Sequence, residues 1–189
     1  VGYTDVATGW SEFRPLRACG QLETLVALKS IRSSLPFKLL GLDSDNGGEF
    51  LNWHLTNFCL EESIQLTRCR PYHKNDQCRI EQKNGAIVRK HAGYRRYETD
   101  AQFKLLKRMY SLLKYLVNFF EPSQKGKEKA MTPYRRLLAS RILDNEAEQQ
   151  LEETYQGLNP VQLRKDLLKI KMELGDYETL VSFLDEATV

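Results

Sequence analysis

The chain has 189 residues, of which 41% are hydrophobic and 28% are charged, so it can form one domain of ordinary size with an extension. It contains no run of 18 apolar residues and no visible signal peptide, which argues against a membrane-spanning segment. The four cysteines form no CxxC pair, and the three histidines are not at ligand spacing with them. The composition therefore predicts free thiols in a reducing cytoplasm rather than a zinc site.

The net charge of +3 is unevenly distributed along the chain. Residues 1–67 carry 5 Lys and Arg against 8 Asp and Glu, a net charge of −3. Residues 68–136 carry 18 against 6, a net charge of +12, and residues 137–189 carry 5 against 11, a net charge of −6. A basic middle segment favours contact with a polyanion such as nucleic acid. A solvated helical face is the plain alternative.

The first part of the chain predicts two strands, a helix and a third strand. Gly2–Ala7 and Ser11–Cys19 are interpreted as the two strands of a hairpin. Leu22–Leu35 has apolar residues at helical spacing, and Pro36 ends this helix. Phe37–Leu42 is a short apolar run that is typical of a fully buried strand.

The middle of the chain alternates in the same way. Phe50–Ile64 has helical spacing, and Gln65–Arg70 is predicted as a short strand. Asp76 is a candidate cap for a basic helix, which Gly93 is expected to interrupt. Asp100–Phe120 is predicted as a second long helix, and the order of elements indicates an α/β domain with a mixed sheet.

A helical tail follows the predicted domain. Residues 1–121 are assigned to the core, residues 122–131 to a linker, and residues 132–189 to the tail. The pairs Thr132-Pro133 and Asn159-Pro160 each place a capping residue before a proline at the first helical position. These two pairs are expected to start two tail helices.

Two carboxylates stand out because of their surroundings, with 35 residues between them. Asp45 follows the predicted buried strand and precedes an Asn-Gly-Gly turn, while Glu81 lies on the basic helix. Carboxylates that converge from a strand end and a helix suit a magnesium site for phosphoryl transfer. A common turn and a solvated glutamate are the plain alternatives.

The segments around these carboxylates resemble the catalytic core of retroviral-type integrases, and they look most like the bacterial insertion-sequence transposases of that superfamily. The interval between Asp45 and Glu81 matches the signature of the superfamily. The segments that carry the resemblance in the core are Asp5–Trp10, Ser44–Phe50, Arg70–Gln77 and Glu81–Asn84. In the tail they are Thr132–Leu138 and Leu158–Arg164.

The resemblance implies a ribonuclease-H-like mixed sheet flanked by helices. It implies that Asp45 and Glu81 are the second and third catalytic carboxylates of a DDE-type polynucleotidyl transferase and that they bind Mg²⁺ or Mn²⁺. The implied activity is metal-dependent DNA cleavage and strand transfer during transposition, DNA integration and recombination. The implied partners are element ends and target DNA, together with further copies of the chain. The implied location is the bacterial cytoplasm, at the nucleoid when the protein is bound to DNA.

The same resemblance places the basic helix along DNA, where cations contribute affinity with little sequence reading. For each cation taken singly, plain solvent exposure is the alternative. The residues expected to contact DNA are Lys74, Arg79, Lys83, Asn84, Arg89 and Lys90.

One part of the family pattern has no counterpart in the chain. The first metal-binding aspartate of the superfamily lies on a strand before Asp5, whereas this chain begins at Val1 within the next strand. The expectation is therefore a core truncated at its N-terminus, without its first strand and inactive alone. The alternative is a non-catalytic DNA-binding relic of a mobile element. A generic ribonuclease-H-like nuclease is disfavoured by the tail segments and the 35-residue interval.

Overall fold

The hairpin and the following strands form two separate small sheets in a computed structural model of the chain. The backbone alone is described at 68 and 84–86. The structure describes residues 1–18, 20–44, 53–68, 84–93, 96–125 and 129–175.

The first sheet is the predicted hairpin, in which β1 (Gly2–Thr4) pairs antiparallel with β2 (Ser11–Phe13). Its turn is stabilised by Asp5, whose carboxylate accepts hydrogen bonds from the Thr8 backbone at 2.7 Å and the Thr8 hydroxyl at 2.6 Å. Gly9 has φ of 81°, a left-handed conformation that favours glycine. The turn sequence therefore determines where the hairpin reverses.

The second sheet pairs β3 (Gly41–Ser44) in parallel with β4 (Gln65–Arg68). Parallel neighbours need a crossover connection, and α2 (Trp53–Glu61) lies between these two strands in sequence. This β3–α2–β4 unit confirms the predicted alternation of strand, helix and strand. It also brings the carboxyl ends of β3 and β4 to one edge of the sheet.

The strand predicted at Phe37–Leu42 was placed too early, because the ladder begins only at Gly41. The apolar residues before it lie in a connector and do not pair with a strand. Phe37 packs against the cluster of buried residues that contains Trp10 and Tyr134. Leu39 packs against a different cluster, which contains Leu28 and Leu42. Leu40 is 69% exposed, so this apolar run was not one continuous buried strand.

A hydrophobic cluster joins α1 (Gln21–Ser34) to the second sheet and α2. Tyr3 from β1 also packs against this cluster, so the two sheets share part of their core. The cluster follows from the helical spacing of apolar residues in α1 and the alternation along β3. Its buried members are Leu28, Leu42, Leu55, Phe58, Cys59 and Ile64.

The described part of the basic helix begins with a π-helical segment, Asn84–Arg89, and continues as α3 (Lys90–Ala92). Gly93 has φ of 63° and ends it, which confirms the predicted interruption. The next helix is α4 (Asp100–Tyr115), which continues into a second π-helical segment, Leu116–Phe120.

Three tail helices follow within the described residues, at α5 (Pro133–Ser140), α6 (Asn145–Gly157) and α7 (Pro160–Leu174). Both predicted starts are confirmed, since Thr132 and Asn159 cap α5 and α7 through their side chains. The helix between them, α6, was not predicted. The start of α6 has no proline and depends on another capping residue, Asp144.

The tail helices pack on the residues that precede them. α7 contributes Leu167, Ile170 and Leu174 to the cluster that also holds Ile87 and Leu113. Near α5 and α6, rings from both parts of the chain come together. These aromatic residues are Trp10, Phe119, Phe120, Tyr134 and Tyr155. The division into core, linker and tail stays a prediction.

None of the helices in the described ranges is long and apolar enough to cross a membrane.

Candidate catalytic and nucleic-acid site

The candidate site begins at the carboxyl end of β3. Asp45 follows the last residue of that strand, Ser44, and both Asp45 and Glu81 lie outside the described residues. Within β3, Asp43 is exposed, and its carboxylate accepts a hydrogen bond from the Thr67 hydroxyl at 2.9 Å. This bond connects neighbouring positions of β3 and β4 at the sheet edge where the strands end.

The predicted DNA contacts are only partly described. Lys74, Arg79 and Lys83 lie outside the described residues. Arg89 is exposed and Lys90 is half-buried, at the end of the basic helix.

Asn84 is the first residue of the described π-helical segment, and its side chain is not described. The structure therefore places one exposed cation, Arg89, on this helix, and the other predicted DNA contacts stay predictions.

The end of the basic helix is held by side chains that the sequence did not single out. Lys171 is fully buried, and its ammonium donates to the Lys90 carbonyl at 3.5 Å. The Tyr97 hydroxyl donates to the Ala92 carbonyl at 2.5 Å. Both donors approach carbonyls of the last helical turn, where cations and donors stabilise the negative end of the helix. Within α7, Lys171 lies four residues after Leu167 and three before Leu174, so it shares their buried face, and this spacing is the signal that could have revealed it.

His91 is buried beside this cation pair. Burial, together with the positive charges of Lys171 and Lys90, lowers the pKa of His91 to about 3. His91 is therefore neutral at neutral pH and contributes no charge to the basic helix.

Two buried hydroxyls face no partner in the described part of the chain. They are the Tyr3 hydroxyl on β1 and the Ser44 hydroxyl on β3. Burial raises the pKa of Tyr3, so its phenol stays protonated. Among the described strands, β1 pairs only with β2 and β3 pairs only with β4. Buried polar groups are normally hydrogen-bonded, so these two hydroxyls mark incompletely satisfied positions on both sheets.

Across the described residues, no three His, Cys, Asp or Glu side chains come together as a metal site. The carboxylates predicted to bind the cation are the two that lie outside those ranges. The chemistry of this donor set fits Mg²⁺, which prefers carboxylate oxygens. Asp43 shows that this sheet edge holds a carboxylate in an exposed position.

No protein-family model matches the chain. The chain is 42% identical over 126 residues to an uncharacterized protein, y4rM, of Sinorhizobium fredii (strain NBRC 101917 / NGR234). The alignment covers 67% of this chain and 36% of that protein, so the match spans little more than a third of its relative.

Solved structures of integrase catalytic core domains resemble the fold. The BIV integrase core superposes with a TM-score of 0.53 and 21% identity, over 72% of this chain and 83% of that one. The HTLV-2 integrase core in complex with magnesium superposes in its trimeric form with a TM-score of 0.51 and 17% identity, over 71% of this chain and 80% of that one. Its dimeric form gives 0.52 and 19%, over 70% and 79%.

The chain therefore has an α/β fold of the ribonuclease-H-like type. More particularly, the chain has the fold of the integrase catalytic cores, which confirms at the level of the fold the resemblance seen in the sequence.

Proposed function

We propose that the chain is the larger part of the catalytic core of a DDE-type transposase or integrase, which cuts and joins DNA strands. One observation carries this proposal. The fold is of the integrase-core type, and it contains the parallel β3–α2–β4 unit. In this unit β3 ends at Ser44, the residue before Asp45. Glu81 follows after 35 residues on the basic helix, at the interval that the sequence resemblance identified.

The residues of the chain have separate roles in this proposal. Asp45 and Glu81 hold Mg²⁺ or Mn²⁺, which when bound supplies an activated attacking oxygen and stabilises charge on the phosphate. The ladder between β3 and β4 fixes the strand end from which Asp45 extends, with the Asp43–Thr67 hydrogen bond as a further tie. The predicted cations of the basic helix, including Arg89, bind DNA phosphates and orient the strand.

The separation of the two sheets supports a further part of the proposal. A strand lying between β1 and β3 would pair with both and bring a third carboxylate beside Asp45. The buried, unpartnered hydroxyls of Tyr3 and Ser44 are consistent with such an insertion. The 189-residue chain without that strand is expected to be inactive, because two carboxylates do not complete the site.

The test compares the 189-residue chain with a longer polypeptide whose N-terminal extension supplies a strand containing aspartate. The assay is Mn²⁺-dependent cleavage of labelled duplex DNA and its joining to a second duplex. Only the longer polypeptide is expected to cleave and join, and Asp45→Asn or Glu81→Gln abolishes both steps. Asp43→Asn is the matched control, because asparagine retains an oxygen acceptor for Thr67. Full activity in Asp45→Asn would contradict the assigned role.

A second candidate function is DNA binding without catalysis, as in a relic of a mobile element. The net charge of +12 over residues 68–136 favours it. In that case the longer polypeptide binds DNA with an affinity that falls steeply with salt, yet cleaves nothing. Under both candidate functions, we propose that the chain assembles with further copies of itself in the bacterial cytoplasm. The HTLV-2 integrase core was solved in dimeric and trimeric forms.

A further inference from the structure

A basic cleft lies on a part of the molecule that does not include the basic helix. It has a volume of about 260 Å³ and is formed between the end of β2, α1 and α4. One wall is apolar, through Phe13 and Tyr115. The polar and charged side chains that line it are Arg14, Ser30, Lys107, Ser111 and Lys114.

The charge of the cleft is positive and is balanced only in part. The carboxylate of Glu12 is 1% exposed and accepts from the Lys114 ammonium at 2.7 Å and from the Arg14 guanidinium at 3.1 Å. The Lys107 ammonium has no ion-pair partner among the described residues. Three cations against one carboxylate leave a net charge of +2, so the cleft favours an anion.

Arg14 is held in place before any ligand arrives. Its Nε donates to the Ser30 hydroxyl at 3.3 Å, and one terminal nitrogen donates to the Ser34 hydroxyl at 3.0 Å. The other terminal nitrogen donates to the Phe13 carbonyl at 2.9 Å. Ser30 accepts the bond from Arg14, so its own hydroxyl hydrogen can donate to a ligand. A cation ordered in advance loses less conformational entropy on binding.

The basic character continues along α4. Lys104, Lys107, Ser111 and Lys114 follow one another at intervals of three or four residues, so they share one face of the helix. A row of cations along a helix suits a ligand with several phosphates in series better than a single ion. A phosphodiester backbone has that chemistry.

We propose that this cleft binds backbone phosphates of DNA, as a contact additional to the basic helix. This inference rests on the proposed function for its choice of DNA. It concerns binding alone and requires no divalent cation, so it can fail or succeed independently of catalysis.

The test measures how the affinity for a fluorescent DNA duplex depends on KCl concentration, by anisotropy in the presence of EDTA. Lys107→Gln removes one cation from the cleft, whereas Arg108→Gln removes an adjacent exposed cation that does not line it. If Lys107 contacts one phosphate, its loss lowers the slope of log affinity against log salt by about 0.9. Arg108→Gln is expected to change the slope by much less.

Two results would overturn the inference. Equal effects of Lys107→Gln and Arg108→Gln would show that only diffuse charge matters, and no effect of either would show that DNA does not reach the cleft. A second measurement places a photo-crosslinker at Ser111→Cys, where DNA capture is expected from the cleft. Absence of capture, together with a dimer that Lys107→Gln disrupts in sedimentation, would identify the cleft as a contact between copies instead.

Discussion

Asn118 offers the sharpest test of how the described fold is held together. It lies in the π-helical segment after α4 and is fully buried. Its amide nitrogen donates to the Ser11 carbonyl at 2.8 Å, and its amide oxygen accepts from the Ser11 backbone nitrogen at 2.8 Å. One side chain thus bonds to β2 much as a neighbouring strand would, and it joins the hairpin to the long helix.

Asn118→Leu keeps the approximate volume and removes both bonds. A buried backbone group that loses a hydrogen-bond partner costs about 1–3 kcal/mol, so the two bonds together predict a loss of about 2–6 kcal/mol of unfolding free energy. For a chain of this size, each 1 kcal/mol lowers Tm by about 2–4 °C. Asn118→Asp retains an acceptor but places a carboxylate in a fully buried position, and it is expected to be at least as destabilising.

The measurement is urea unfolding followed by circular dichroism on the full chain. Gln149→Leu is the matched control, because its amide donates to the exposed Glu153 on the surface of α6, at 3.0 Å. Its effect is expected within about 0.5 kcal/mol. A loss below about 1 kcal/mol for Asn118→Leu, or one equal to that of the control, would refute the reasoning.

Three further predictions concern buried side chains that are ionised or can be protonated. Because the folded pKa of His91 is about 3 and lies below the unfolded value of about 6.5, the unfolded state binds the proton first. The contribution of neutral His91 to the free energy of unfolding is complete above pH 6.5 and is lost as pH falls towards 3. In urea titrations, the free energy of unfolding of the wild type should therefore fall by about 2 kcal/mol more than that of His91→Gln between pH 7 and pH 5. Parallel pH profiles would contradict this. Glu12→Gln leaves Lys114 and Arg14 without their carboxylate, which should lower the free energy of unfolding by about 2–4 kcal/mol, less than for fully buried partners. A neutral effect would show that solvent replaces the carboxylate. Arg136→Met removes donors to Thr8 and Ser123 and should lower Tm by several degrees in calorimetry, and an unchanged Tm would count against this role.

Periodicity predicted most of the elements because they depend on local signals. The helix from Gln21, the helix from Asp100 and the two proline-started tail helices lie where spacing and caps placed them. The strand at Gly41 was displaced because an apolar run can pack on two clusters without pairing. Local sequence does not say which of these outcomes tertiary contacts select.

The buried charges could not be predicted in the same way. Glu12 and Lys171 have residue types that are normally exposed, and their burial depends on partners far away in sequence. The pair Asp45 and Glu81 was identified from motif and interval. Asp45 is the next residue of the chain after β3, and the geometry of both carboxylates stays a prediction.

The measurement that tests the central claim most directly is Mn²⁺ binding to the full chain, followed by electron paramagnetic resonance. The claim that Asp45 and Glu81 share one cation predicts a site that is lost in Asp45→Asn, in Glu81→Gln and in the double variant to the same extent, and retained in Asp43→Asn. Losses that add up independently, or binding that survives both substitutions, would contradict a shared site.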